Sequence, residues 1–131
     1  MTPELLALTA VILVQLATLA AYAIVGNLEL GPKVTLSPRD RIPPLSPLLG
    51  RLQRAVANGV EALALFTSTI LIVTLSHHTS SLTALAAWAF VAARIAYVPA
   101  YAFGLVPWRS VFWALGLAAI VVILVGAVIQ A

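Results

Sequence analysis

The sequence predicts an all-α fold, a transmembrane bundle of four helices, on three observations. Hydrophobic residues make up 63% of the 131 positions and charged residues only 8%, with a mean hydropathy of +1.10, whereas a soluble domain devotes about a quarter of its residues to charge. Four long apolar stretches recur along the chain, and at about 20 residues per crossing they use about 80 positions, leaving one real loop and short turns inside a single domain spanning residues 1–131. The charges that remain are concentrated between the stretches rather than spread along them.

The first span covers about residues 5–25. It is uncharged, it has no Lys or Arg ahead of it, and it is too long for the apolar core of a secretory signal, so it reads as a helix of the mature protein. Residues 26–46 form the loop: Glu29, Lys33, Arg39, Asp40 and Arg41 are interspersed with Pro32, Pro38, Pro43 and Pro44, a composition that neither crosses a bilayer nor sustains a long helix. Ser46-Pro47 reads as an N-cap followed by proline at the first helical position. The second span accordingly runs over about residues 47–75, with Arg51 and Arg54 at headgroup level. His77, His78, Thr79, Ser80 and Ser81 make a solvated polar turn, two adjacent His without a further ligand being a poor metal site. The third span covers about residues 82–102 and the fourth about 110–129. Gly116, Ala119 and Gly126 give the fourth a small-residue face suited to close helix packing.

In such an up-down-up-down chain the first and third loops share one side of the membrane. Lys33, Arg39, Arg41, Arg51, Arg54 and Arg109 all lie in or beside those loops, and the other side has no Lys or Arg. The positive-inside rule then puts loops one and three in the cytoplasm and both termini outside. No basic stripe interleaves with aromatics, which excludes the usual nucleic-acid footprint. The absence of Cys excludes a disulfide framework, a thiolate nucleophile and a Cys-ligated metal.

An ionisable residue inside a span costs about 2.5–3.5 kcal/mol on insertion scales and is a functional candidate by default. Glu61 and Arg94 are the two that read as deep. At 1.5 Å per residue, Glu61 lies about 10 Å inward from Arg54 and Arg94 about 12 Å inward from Ala102, so the two are expected to pair across neighbouring helices. Arg54, Asn58 and Glu61 follow i, i+4, i+7 and share one helical face; Arg94, Tyr97 and Tyr101 follow i, i+3, i+7 and share another. Pro99 denies a donor to the Ile95 carbonyl and is expected to bend the third span. Arg109 and Ser110 enter from the start of the fourth. The sum is a polar site, cationic at its mouth, suited to a small anionic ligand, with lipid-facing walls that admit an apolar partner sideways. The plainer reading of the same residues is interhelical polar glue for Glu61, Arg94 and Asn58, and an interfacial aromatic belt for Tyr97, Tyr101, Trp108 and Trp113.

The stretch Arg51-Leu52-Gln53-Arg54-Ala55-Val56-Ala57-Asn58-Gly59-Val60-Glu61, with Phe66, resembles the second-helix signature of the MAPEG family, membrane-associated proteins in eicosanoid and glutathione metabolism. Ala93-Arg94-Ile95-Ala96-Tyr97-Val98-Pro99-Ala100-Tyr101, then Val106-Pro107-Trp108-Arg109-Ser110, resembles its third-helix motif and the Arg-Ser pair opening its fourth. Length and loop composition are most similar to bacterial members, which implies the bacterial inner membrane. The resemblance implies a homotrimer among membrane lipids that holds glutathione as cosubstrate between subunits and acts on lipophilic substrates as a transferase or peroxidase. Carried over by position, Arg54, Asn58, Glu61, Arg94, Tyr97 and Tyr101 would bind the tripeptide, Arg109 and Ser110 would stand at its sulfur, and no metal is implied. Ala57 and Glu29 depart from the pattern by standing where cations are found in glutathione-using relatives. Two alternatives fit less of the sequence: a non-catalytic lipid-binding or scaffold protein of the same fold, and a small multidrug transporter, whose coupling carboxylate would lie in a first span that here has none between Leu5 and Val25.

Overall fold

A computed structural model describes all residues, Met1–Ala131. Four long helices and one short one make up the chain: α1 (Pro3–Leu30), α2 (Pro32–Thr35), α3 (Pro47–Leu75), α4 (Ser81–Ala102) and α5 (Trp108–Gln130). Each long helix is long and apolar enough to cross a membrane; even the 22 residues of α4 rise about 33 Å, more than the hydrocarbon core of a bilayer. Much of their outer surface is bare aliphatic side chain, including Leu13, Leu16, Leu71, Leu85 and Val121. Lipid rather than water is the solvent such a surface suits.

Local signals set the helix ends. Ser46 caps α3 as expected, its hydroxyl accepting from the Leu49 amide with Pro47 in the first turn. Ser80 and Thr83 form a reciprocal capping box at the start of α4. α1 differs from expectation: it continues to Leu30 instead of ending near Val25, and α2 then interrupts the loop. The first proline after the apolar run is Pro32, so nothing in Gly26 to Leu30 removes an amide donor. Asn27 joins the two pieces, donating to the Ala23 carbonyl and accepting from the Thr35 hydroxyl at 2.6 Å. α4 runs unbroken through Pro99 to Ala102.

The core lies in the half of the bundle away from the basic loops. Phe66 of α3 stacks on Phe90 of α4, ring centroids 4.1 Å apart, among Val11, Ile70, Val73, Ile120 and Ile123. The small residues of α5 meet α4 within the same chain: a Cβ on Gly116 would touch the Phe90 ring at 3.5 Å, and one on Gly126 would touch Thr83. Gln15, a polar residue in the middle of α1, donates to the Val56 carbonyl at 3.1 Å and lies directly over Gly59, where any Cβ would collide with its amide.

A third ionisable residue, which the sequence leaves at the ragged edge of the first span, is the most deeply buried of all. Glu4 is 1% exposed. Its Oε1 accepts from the Thr83 hydroxyl at 2.7 Å, and its Oε2 is buried without a partner. The physical compensation is positional: Glu4 stands in the first turn of α1 and against the first turn of α4, where the partial positive charges of two helix N-termini favour a carboxylate. This contact fastens the ends of α1 and α4 opposite the basic loops.

Candidate functional site

The basic end is assembled from the start of α3, the end of α4 and the start of α5. Arg54 leads. From the first turns of α3, its Nε donates to the Tyr101 hydroxyl at 3.2 Å. Arg109, from the first turn of α5, lies on the same ring, its guanidinium carbon 5.0 Å from the centroid. Tyr101 therefore sits between two cations, and its ring leans on that of Tyr97, centroids 5.5 Å apart. Beneath it the Arg94 guanidinium lies 4.3 Å from the Tyr97 ring. Both Arg94 and Tyr97 are buried, 5% and 3% exposed.

The partner of Arg94 differs from the sequence expectation. Its Nη1 donates to Asn58 Oδ1 at 3.0 Å, and the two side chains expected to pair, Glu61 and Arg94, form no ion pair. Glu61 lies one helical turn beyond Asn58 with an exposed side chain. All three line one cavity of about 120 Å³. The amide therefore satisfies the buried cation, and the carboxylate stays free of the guanidinium, turned to the outside of the bundle. A carboxyl group at that depth is not a surface for lipid.

A second cavity, about 240 Å³ and more open, is lined by Tyr97, Tyr101, Arg109, Ser110 and Trp113. All eight residues singled out in the sequence thus fall in one region, distributed over two chambers and their rim: Asn58, Glu61 and Arg94 in the first, Tyr97, Tyr101, Arg109 and Ser110 in the second, with Arg54 at the rim on Tyr101. Trp113 lines both. The belt reading of that residue misses this role, which its spacing of four from Arg109 signals, since i and i+4 share a helical face.

Arg51 is the other contributor the site reading leaves out. Its Nη1 donates to the Ala102 carbonyl at 3.3 Å, at the end of α4. The same guanidinium lies under Gly104, where a Cβ would come within 2.9 Å of Nη1. Gly104 has φ +66, the left-handed region that glycine enters without penalty. Arg51 thereby holds the turn that delivers Arg109 and Ser110 to the site.

Across residues 6–129 the sequence matches the profile of the MAPEG family. The chain belongs to the MAPEG family. With its four apolar helices, it is an integral, multi-pass membrane protein. No curated protein and no solved structure matches it. Chemically, this MAPEG site offers three arginines, two phenols, an amide, a hydroxyl and one free carboxylate, which together complement a small zwitterion with more negative than positive charge.

Proposed function

We propose that the protein is a glutathione-dependent transferase or peroxidase of the MAPEG type, acting on lipophilic electrophiles or lipid peroxides. The observation that carries this reading is the second chamber, where Arg109 and Ser110 face an open cavity backed by Tyr97 and Tyr101. A free thiol has a pKa near 8.5 and is nucleophilic as the thiolate; an adjacent cation lowers that value. In this reading Arg109 supplies the cation and Ser110 donates a hydrogen bond to the sulfur, while Glu61 takes the tripeptide's ammonium and Arg54 and Arg94 its carboxylates. In the transferase reaction the sulfur forms a bond to the electrophilic carbon, the leaving group departs with its electron pair, and the thiol proton goes to solvent.

The protein works as a homotrimer in this proposal, with loops one and three in the cytoplasm. Two features support assembly. Drug-sized ligands occupy sites of about 300–1,000 Å³, and neither chamber of one chain reaches that range. Around Glu61, the outward face of α3 carries Gln53, Ala57, Ala64 and Ser68, with the large aliphatic Val60 among them, and a charged and polar strip of this kind is covered better by a second helix than by lipid. Purified protein with glutathione and a dinitrophenyl halide should release halide at a saturable rate, and Arg109→Leu should lower kcat by about tenfold or more, the cost of about 1.4 kcal/mol of lost thiolate stabilisation. A parent protein that neither turns over this pair nor gains melting temperature in saturating glutathione would refute the reading; about 2.7 kcal/mol is expected at 100 times Kd.

A further inference from the structure

The basic end carries a third cavity that shares no lining residue with the two chambers. The last turns of α1, the short α2 and the loop as far as Leu45 close over the start of α3 and enclose about 230 Å³. Its walls are mostly apolar, with Leu19, Ala23 and Ile42 around fully buried Leu49, and its uncharged polar residues include Asn27 and Thr35, which are bonded to each other. Its only charged lining residue is Arg39. Glu29 and Asp40 belong to the same segment, and neither lines the cavity.

Arg39 is fixed in place. It has φ 62, a conformation uncommon for any residue but glycine, and its amide donates to the Ser37 hydroxyl at 3.2 Å. Nε and Nη2 both donate to the Thr35 carbonyl, at 3.1 and 2.9 Å, which leaves Nη1 with both protons to offer. An oily recess closed by one preorganised guanidinium complements an amphiphile with an anionic head. We propose that this cavity seats one end of an acyl chain of an anionic phospholipid, with Arg39 on its phosphate.

Three further points select a phospholipid as the occupant. Two of its own lining residues, Leu19 on α1 and Ile42 on the loop, are each 47% exposed, so a chain reaches the recess along an apolar outer surface without crossing water. Its volume lies below the range of whole drug-sized ligands and suits one end of a chain. Lys33 and Arg41, both exposed in the same segment, add positive potential at headgroup level, which attracts anionic lipid, and a planar guanidinium matches phosphate geometry.

The test is lipid retention, which involves no thiol and so fails or succeeds separately from the glutathione reading. The full chain, stripped in neutral detergent, is titrated with phosphatidylglycerol or with diacylglycerol of identical acyl chains, which lacks the phosphate, and read by native mass spectrometry. The parent should retain phosphatidylglycerol with about tenfold preference, the worth of one charge-assisted hydrogen bond, and Arg39→Gln should erase that preference. Ala23→Phe, which adds a ring at an exposed lining position, should abolish retention of both lipids; Ile42→Trp makes the same block from the loop if the first variant misfolds. Glycerol phosphate at equal concentration should not compete. Equal retention of the two lipids by the parent, an unchanged preference in folded Arg39→Gln, or full competition by glycerol phosphate would each overturn the proposal.

Discussion

Asn58, rather than Glu61, satisfies the buried guanidinium of Arg94, and a double-mutant cycle tests that assignment. Asn58→Leu removes the acceptor 3.0 Å from Nη1 and leaves a cation that is only 5% exposed with its stacking on Tyr97 and no acceptor. A hydrogen bond to a charged group is worth about 1.5–3 kcal/mol in water-soluble proteins, but interhelical polar couplings in a membrane average about 0.6 and reach about 1.7 kcal/mol. The charge and the burial put this pair at the upper end, so the expected coupling is about 1.5 kcal/mol. Asn58→Leu should therefore cost about 2 kcal/mol in the parent and well under 1 kcal/mol in an Arg94→Met background, where no buried cation is left waiting. Unfolding in mixed micelles, titrated with sodium dodecyl sulfate and followed by circular dichroism, measures all four corners of the cycle. Glu61→Gln, run as a parallel cycle, should couple to Arg94 more weakly than Asn58 does. Additive Asn58 and Arg94 effects, or a stronger Glu61 coupling, would refute the assignment.

Thr83→Val removes the one donor to Glu4 together with one half of the α4 capping box and should destabilise by about 2–4 kcal/mol, while Glu4→Leu combined with Thr83→Val should recover the share due to the stranded carboxylate but not the lost cap; thermal melts of the single and double variants decide, and a double variant no better than Thr83→Val would count against a buried carboxylate. Gly59→Ala drives a methyl into the Gln15 amide and should cost about 1–3 kcal/mol by overpacking, with Gln15→Ala relieving much of it. Full additivity of those two changes in the same melts would mean that Gln15 does not lie over Gly59.

The legible parts of this molecule are those set by local chemistry. Hydropathy marks all four crossings, the Ser46-Pro47 cap places the start of α3 to the residue, and helical spacing collects Arg54, Asn58 and Glu61, then Arg94, Tyr97 and Tyr101, into one region with Arg109 and Ser110. What escapes is decided by which helix lies against which. Glu4 reads as a polar fringe because its burial is created by the first turn of α4, 79 positions away in the chain. Depth alone pairs Glu61 with Arg94, yet rotation about the α3 axis brings Asn58 to the guanidinium instead. The small residues of α5 announce a close contact without naming α4 as its partner. Extension of α1 to Leu30 is hidden because Gly26, Asn27 and Glu29 have loop-like composition, yet the backbone stays helical through them, with the Gly31 amide bonded to the Asn27 carbonyl.

Trp113 gives the protein a built-in optical gauge. Its indole is a wall of both chambers and is about half exposed, so any polar ligand arriving on either side changes the polarity around a native fluorophore. Trp88 and Trp108, the two other tryptophans, line neither chamber and are replaceable by Phe to silence the background. Emission from the remaining indole then follows occupancy in an unlabelled protein, in detergent or in vesicles, and its quenching by brominated lipid against water-soluble iodide reports whether an apolar substrate enters from the bilayer or from the aqueous mouth.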